Sequence, residues 1–94
     1  MYTRVVRFTD VSPEDVERSL AQIQDSDGPP PGAAMTRLQM LYDADQATAV
    51  VVQHFESAQD MEAADRVLGA MDPSDTPGTR VSVDACEVKL DMTA

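Results

Sequence analysis

The sequence predicts one α+β domain of the ferredoxin-like type, in which β-α-β-β-α-β elements form a four-stranded antiparallel sheet with both helices on one face. The chain has 94 residues, and a chain of this length holds a single domain, residues 1–94. Runs rich in β-branched residues alternate with two segments of helical periodicity. Each helical segment starts with a serine that is followed three residues later by an acidic residue, which is a helix-capping pattern.

The first strand and the first helix are predicted near the start of the chain. The segment Tyr2–Thr9 is rich in β-branched and aromatic residues, which is typical of a strand. Ser12 is placed to cap the helix that follows, with Pro13 at its first position and Asp15 completing a capping box. We expect this helix to end by Asp27, because three consecutive prolines follow shortly and cannot continue it.

A hairpin and a second helix are predicted next. Two strand-like runs, Met35–Tyr42 and Thr48–Phe55, flank a polar turn. Ser57 starts the second helix, whose end is predicted at Asp72, before a proline. Its apolar positions have helical spacing and are Met61, Ala64, Leu68 and Met71.

The last strand is predicted over Arg80–Met92. Its apolar positions change parity between Val83 and Val88. A β-bulge near Ala85 and Cys86 would restore a common face, so we predict one there.

The pairing of the hairpin strands predicts what each face of the sheet carries. A turn centred near Asp45 pairs Tyr42 with Thr48 and Met40 with Val50, on the face under the helices. The opposite face then mixes apolar and long polar side chains. Its members are Met35, Arg37, Gln39, Leu41, Ala49, Val51, Gln53 and Phe55. Because exposed apolar patches mark interaction surfaces, we expect a second copy to pack there, sheet against sheet; a monomer with a partly apolar open face is the alternative.

Composition and charge argue against several classes of function. The chain has 7 basic and 17 acidic residues, a formal charge of −10, which disfavours binding to nucleic acid or to an anionic membrane surface. The first residues lack the basic start and long apolar stretch of a signal peptide, so we expect none. No apolar run reaches the roughly 20 residues that span a bilayer. The single cysteine cannot form an internal disulfide, so we expect a cytoplasmic protein. One histidine and one cysteine make a zinc site unexpected, and without a cofactor-binding motif we expect no cofactor.

Three segments resemble, in the same order, those of the dimeric α/β-barrel superfamily, in particular small proteins of the antibiotic-biosynthesis-monooxygenase type. They are TRVVRFTDVSPEDVE, LQMLYDADQATAVVVQHFES with the following AQDMEAADR, and GTRVSVDACEV, and together they cover nearly the whole chain. The resemblance implies the fold predicted above, with two sheets closing into a barrel across a homodimer. Members of the family range from cofactor-independent oxygenases to haem-degrading enzymes and proteins of no known activity.

The resemblance also points to individual residues. Many members have an aromatic residue, often tryptophan, just before the acidic-serine pair that opens the second helix, and Phe55 has that place here. Some oxygenases have an amide four residues earlier, where this chain has Val51, and relatives often have a tyrosine near Cys86. The axial histidine of the haem enzymes lies on a helix, whereas His54 belongs to a predicted strand.

The predicted ligand-binding residues are Arg7, Arg37, Gln39, Val51, Gln53 and Phe55. Arginine and amide side chains suit the oxygens of an anionic or phenolic ligand. An arginine would also favour a phenolate or enolate, the electron-rich form that reduces oxygen without a cofactor. The alternative is that the polar members form hydrogen bonds or ion pairs across the dimer.

Two further residues have two interpretations each. His54 is the only imidazole and is a candidate general base near neutral pH. Its predicted place on the helix-covered face also suits a structural, hydrogen-bonded or partly exposed residue. Cys86 is either a reactive thiol or a small buried apolar residue.

Two functions remain as hypotheses. The first is an oxygenase-like homodimer that acts on a small aromatic or polyketide-like molecule. The second is a non-catalytic homodimer that binds a small molecule or serves as an accessory subunit. Val51 and Phe55 stand where catalytic relatives carry an amide and a tryptophan, which favours the second.

Overall fold

The predicted order of elements is confirmed by a computed structural model, which describes residues 1–25, 34–69 and 78–93. Its elements are β1 (Tyr2–Thr9), α1 (Pro13–Asp25), β2 (Arg37–Asp43), β3 (Thr48–Phe55), α2 (Ala58–Gly69) and β4 (Thr79–Glu87). The four strands form one antiparallel sheet in the order β2-β3-β1-β4. This is an α+β domain with the ferredoxin-like pattern, in which β1 and β3 are central and β2 and β4 are edges.

Both helices begin at the predicted serine caps. The Ser12 hydroxyl accepts the Asp15 backbone N–H at 3.1 Å, and the Asp15 carboxylate accepts the Ser12 N–H at 3.1 Å. These reciprocal bonds form the predicted capping box. The Ser57 hydroxyl accepts the Asp60 N–H at 3.1 Å in the same way at α2. The predicted helix ends at Asp27 and Asp72 lie outside the described residues, as does Met71.

The β2–β3 register differs by one residue from the prediction. Tyr42 pairs with Ala49 rather than Thr48, because Asp43 still belongs to β2 and the turn has four residues. The Asp43 carboxylate accepts the Asp45 N–H at 3.1 Å, and Ala47 closes the turn with a φ of 49°. An alanine in the left-handed region is uncommon, and no glycine indicates it in the sequence.

The shift by one residue exchanges the two faces of β3. Ala49, Val51, Gln53 and Phe55 lie under the helices, together with alternate residues of β1. The prediction that these four lie on the opposite face is therefore wrong. The same prediction is wrong for Met35, which precedes β2 and packs against the buried cluster that contains Phe55. The face away from the helices, called the open face below, carries Val50, Val52 and His54 of β3 instead. The β2 residues keep their predicted sides: Met40 and Tyr42 pack in the core, whereas Arg37, Gln39 and Leu41 are on the open face.

The last strand is shorter than predicted and its bulge is elsewhere. Arg7 pairs with Ser82 and Phe8 with Arg80, so Val81 is the extra residue of the bulge. The bulge predicted near Ala85 and Cys86 is therefore wrong. The strand ends at Glu87, opposite Tyr2 at the start of β1, and one further backbone bond follows, from the Val88 N–H to the Met1 carbonyl oxygen at 2.9 Å.

The core consists of two apolar clusters on the covered face. The first contains Val6, Phe8, Val11 and Ala49, with Val16, Met40, Tyr42 and Val51 packed against it. The second contains Phe55, Met61 and Ala64, with Tyr2, Met35 and Leu68 packed against it. The α2 residues belong to the second cluster, whereas Val16 of α1 packs on the first.

Candidate functional site

The open face carries side chains in rows that run across the four strands. One row consists of Arg37, His54, Thr3 and Cys86. The next consists of Gln39, Val52, Val5 and Asp84, and the third of Leu41, Val50, Arg7 and Ser82. The first row forms a polar end of the face, and the other two rows share an apolar centre with polar residues beside it. The apolar centre consists of Leu41, Val50, Val52 and Val5.

His54 is held by a neighbouring amide at that polar end. Its Nε2 atom lies 3.2 Å from Oε1 of Gln39, and the imidazole is half-buried. Because an amide oxygen only accepts hydrogen bonds, this contact assigns the proton of the neutral ring to Nε2. The lone pair is then on Nδ1, which is the atom available to take a proton from a ligand.

Arg37 is the direct cross-strand partner of His54. Side chains that are paired in this way have Cβ atoms about 5 Å apart on the same face. The pair combines a proton acceptor with a permanent cation, which is what a site needs to ionise a hydroxyl group and hold the resulting oxyanion. Gln39 adds the contact that orients the imidazole.

The structure brings together only part of the predicted ligand-binding set. Arg37 and Gln39 lie on the open face and are joined there by His54, which was expected on the covered face. Arg7 is also on this face, but two rows away, a separation of about 13 Å at the usual strand rise. Val51, Gln53 and Phe55 lie on the other side of the sheet.

The interior contains a charged group that the sequence analysis missed. Arg4 is 3% exposed, its Nε donates to Oδ1 of Asp65 at 2.8 Å, and its Nη1 donates to Oε1 of Gln53 at 3.1 Å. Gln53 therefore has an arginine partner, but it is Arg4 and not Arg7 or Arg37. The signal was present in the sequence, because Arg4 has the same parity in its strand as the buried Val6.

Phe55 and Val51 act as core residues in the single chain. Phe55 is fully buried in the second apolar cluster, and Val51 packs against the first. Cys86 is exposed on the edge strand, which contradicts its interpretation as a buried apolar residue. Cys86 pairs with Thr3, so two strands separate it from Arg37 in the same row.

No model of a known protein family and no curated protein matches this sequence. Neither described helix has the length and hydrophobicity required to cross a lipid bilayer. Among residues 1–25, 34–69 and 78–93, no three His, Cys, Asp or Glu side chains are grouped closely enough to hold a metal ion.

Proposed function

We propose that this protein works as a homodimer whose two open faces pack together around a small-molecule site. The observation that carries the proposal is the apolar centre of the open face. Leu41 is 52% exposed there, in a row with Val50, and Val5 and Val52 form the centre of the neighbouring row. Packing a second sheet on these residues removes their apolar surface from water, which is favourable. This is also the assembly implied by the resemblance to dimeric α/β-barrel proteins.

The proposed ligand is a small hydroxylated aromatic molecule. Its ring would lie between the two sheets, bordered by Val52 and Val5, while Leu41 and Val50 contact the partner sheet. Its hydroxyl group would lie at the polar end of the face. There Nδ1 of His54 takes the hydroxyl proton and Arg37 holds the phenolate. The observation that supports this placement is the cross-strand pairing of His54 with Arg37, with Gln39 bonded to Nε2.

The proposed reaction is an oxygenase-like oxidation that uses no cofactor. The ionised substrate supplies the electrons that reduce dioxygen. One oxygen atom enters the substrate carbon as a carbonyl, two substrate hydrogens are lost, and the second oxygen atom leaves as water. His54 would move the proton and Arg37 would stabilise the negative charge, which are the two tasks that the protein must supply.

A second candidate function is a non-catalytic homodimer that binds a small molecule or serves as an accessory subunit. The packing of Val51 and Phe55 in the apolar clusters favours it. Catalytic members of the family that the sequence resembles carry an amide and a tryptophan at these places, whereas here Val51 and Phe55 contribute to the core of the single chain.

Two leucines of β2 provide a matched test of the dimer. Leu41 is on the open face and 52% exposed, whereas Leu38 pairs with the buried Gln53, lies on the covered side and is 42% exposed. We expect wild type and Leu38→Glu to show twice the chain mass of 10.2 kDa by light scattering at micromolar concentration, and Leu41→Glu to show a single chain. A wild-type protein of single-chain mass would refute the proposal.

Catalysis and binding are separated by a second experiment on the wild-type dimer. Oxygen uptake is measured with a panel of phenols, hydroquinones and anthrones, and binding of the same compounds is measured by titration calorimetry. Uptake of ¹⁸O-labelled dioxygen with release of a product that carries one labelled oxygen atom supports the oxygenase. Binding without uptake supports the second function, and the absence of both contradicts the proposed ligand class.

A further inference from the structure

A polar row divides the interior of the domain. Arg4 and Gln53 are cross-strand partners on the covered face, one row from Tyr2 and Phe55 and one row from Val6. The rows on either side belong to the second and the first apolar cluster, respectively. A guanidinium group is therefore buried between two apolar clusters, which is costly unless partners compensate its charge.

The two members of the Arg4–Asp65 ion pair differ in burial. The Arg4 side chain is 4% exposed, whereas that of Asp65 on α2 is 55% exposed. Asp65 therefore keeps much of its contact with water while it bonds to Arg4, and water replaces the lost ion pair when its side chain turns to solvent. Arg4 has no such alternative, since the strand holds it inside. Any group that replaces Asp65 must bring a negative charge with it.

Two nitrogens of the Arg4 guanidinium already bond to protein side chains, Nε to Asp65 and Nη1 to Gln53. Among the described residues, every fully buried side-chain nitrogen or oxygen atom has a hydrogen-bond partner. A carboxylate that bonds to Nε must displace Asp65, and the 55% exposure of the Asp65 side chain gives a ligand access to this bond from solvent. Gln53 is buried and would remain bonded to Nη1 of Arg4.

The covered face next to Arg4 has an exposed apolar surface on the edge strand β4. Arg4 pairs with Ala85 on the edge strand β4, and the next pair on the same face is Val6 with Val83. Ala85 is exposed and Val83 is 38% exposed, while α2 packs against β1 and β3. The space beside the buried cation is thus bordered by uncovered aliphatic side chains.

We propose that Arg4 forms a second ligand site, which binds an organic carboxylate with an apolar body. The carboxylate takes the place of the Asp65 side chain on the guanidinium, and the apolar body lies along Ala85 and Val83 of β4. Arg4 supplies a charge-assisted hydrogen bond, and the aliphatic surface supplies the preference for an apolar body over a small anion. The site is on the opposite side of the sheet from the open face, so it does not depend on the dimer.

Octanoate is a suitable probe because it combines a carboxylate with an apolar chain. Acetate is the control for the carboxylate alone, and octanol is the control for the apolar chain alone. The readout is the Nε–Hε resonance of Arg4 in a nitrogen–proton correlation spectrum of the full chain, together with the amides of α2. We expect octanoate to shift these resonances with saturation at millimolar concentration. Acetate should bind at least tenfold more weakly and octanol should leave the Arg4 resonance unchanged.

A matched pair of variants on α2 tests the displacement itself. Asp65→Asn removes the competing carboxylate, and Glu62→Gln removes one charge from an exposed position of the same helix. We expect Asp65→Asn to tighten octanoate binding by about two- to fivefold, the range for loss of a partly exposed ion pair, and Glu62→Gln to leave it unchanged. Equal effects of the two variants would mean that net charge alone is responsible and would overturn the proposal. An Arg4 resonance that does not respond to octanoate, or that responds equally to octanol, would also overturn it.

Discussion

Gln39 and His54 are linked across the open face by a contact of 3.2 Å between Oε1 and Nε2. The two residues are on neighbouring strands, and the same histidine pairs directly with Arg37. Three polar side chains are thus positioned by strand backbone rather than by a loop. Rigid elements hold functional groups in place more accurately than loops do, which is why this end of the face is the better candidate for chemistry.

The contact between Gln39 and His54 predicts a single ring tautomer. Nitrogen chemical shifts of the neutral imidazole should show the proton on Nε2 and the lone pair on Nδ1, because the amide oxygen accepts from Nε2. The variant Gln39→Leu keeps the size of the side chain and removes the acceptor, so it should yield a mixture of tautomers. A wild-type ring with its proton on Nδ1 would contradict the assigned contact.

If the wild-type protein oxidises a hydroxyarene, we expect substitutions of Arg37 and His54 to lower its activity to different extents, because the two residues have different roles. Arg37→Ala should lower kcat/KM at least about tenfold, which corresponds to about 1.4 kcal/mol of transition-state stabilisation. His54→Gln should lower kcat about 100-fold or more, because it removes the proton acceptor. The control is Arg7→Ala, two rows away on the same face, which should change kcat/KM less than twofold. Equal losses for the two arginine variants would argue against the placement of the ligand.

The capping box of α1 predicts a dependence of stability on pH. The backbone N–H of Ser12 lowers the pKa of Asp15 below its ordinary value of 3.8, and the Ser12 side chain and Arg18 act in the same direction. In the unfolded chain Asp15 takes up its proton first as the pH falls. Its contribution to folding is therefore complete above about pH 3.8 and is lost as the pH falls through the lower pKa of the folded state.

Urea unfolding of wild type and Asp15→Asn between pH 7 and pH 2 measures this contribution. The free energies of unfolding should differ most near neutral pH and converge in acid, while other carboxylates cancel in the comparison. Ser12→Ala should cost about 1 kcal/mol at neutral pH through loss of the cap. If the difference in free energy of unfolding between wild type and Asp15→Asn grows as the pH falls, the capping box does not lower the pKa of Asp15.

Gly78 is required by the backbone at the entrance to β4. Its φ is +55°, and a Cβ atom built on it would lie 2.2 Å from the carbonyl oxygen of Thr9. Gly78→Ala should therefore destabilise the domain by about 1–3 kcal/mol, from the left-handed conformation and the backbone contact together. Gly69→Ala is the control, because nothing lies within 4 Å of its Cβ position. If thermal unfolding shows equal effects for the two variants, the close approach of Gly78 to Thr9 is incorrect.

Local signals in the sequence were sufficient to predict the elements. The caps at Ser12 and Ser57 depend on atoms three residues apart, so a short sequence pattern contains everything they need. The same holds for β1 and β3, whose predicted bounds match the structure because each strand is a dense run of β-branched residues. The strand β4 has no such dense run, and its end was predicted at Met92 rather than at Glu87.

The composition of the candidate site could not be predicted in the same way. A strand has a side-chain period of two, so a shift of one residue at Asp43 moved Gln53 and Phe55 to the covered face and His54 to the open face. The turn that causes the shift uses Ala47 at φ 49°, for which the sequence has no glycine or asparagine as a signal. The burial of Arg4 follows from its strand parity with Val6, but its charge partner Asp65 is 61 residues away in the chain, so no local pattern indicates their ion pair.

The amino-acid sequence by itself therefore determined the order of strands and helices and where each helix starts, because capping and β-propensity act over a few neighbouring residues. Only the tertiary structure decided which polar side chains meet: His54 with Arg37 on one face, and Arg4 with Gln53 and Asp65 on the other. The physical reason is that strand register and buried ion pairs are set by contacts between distant segments, and one residue of turn geometry is enough to exchange the two faces.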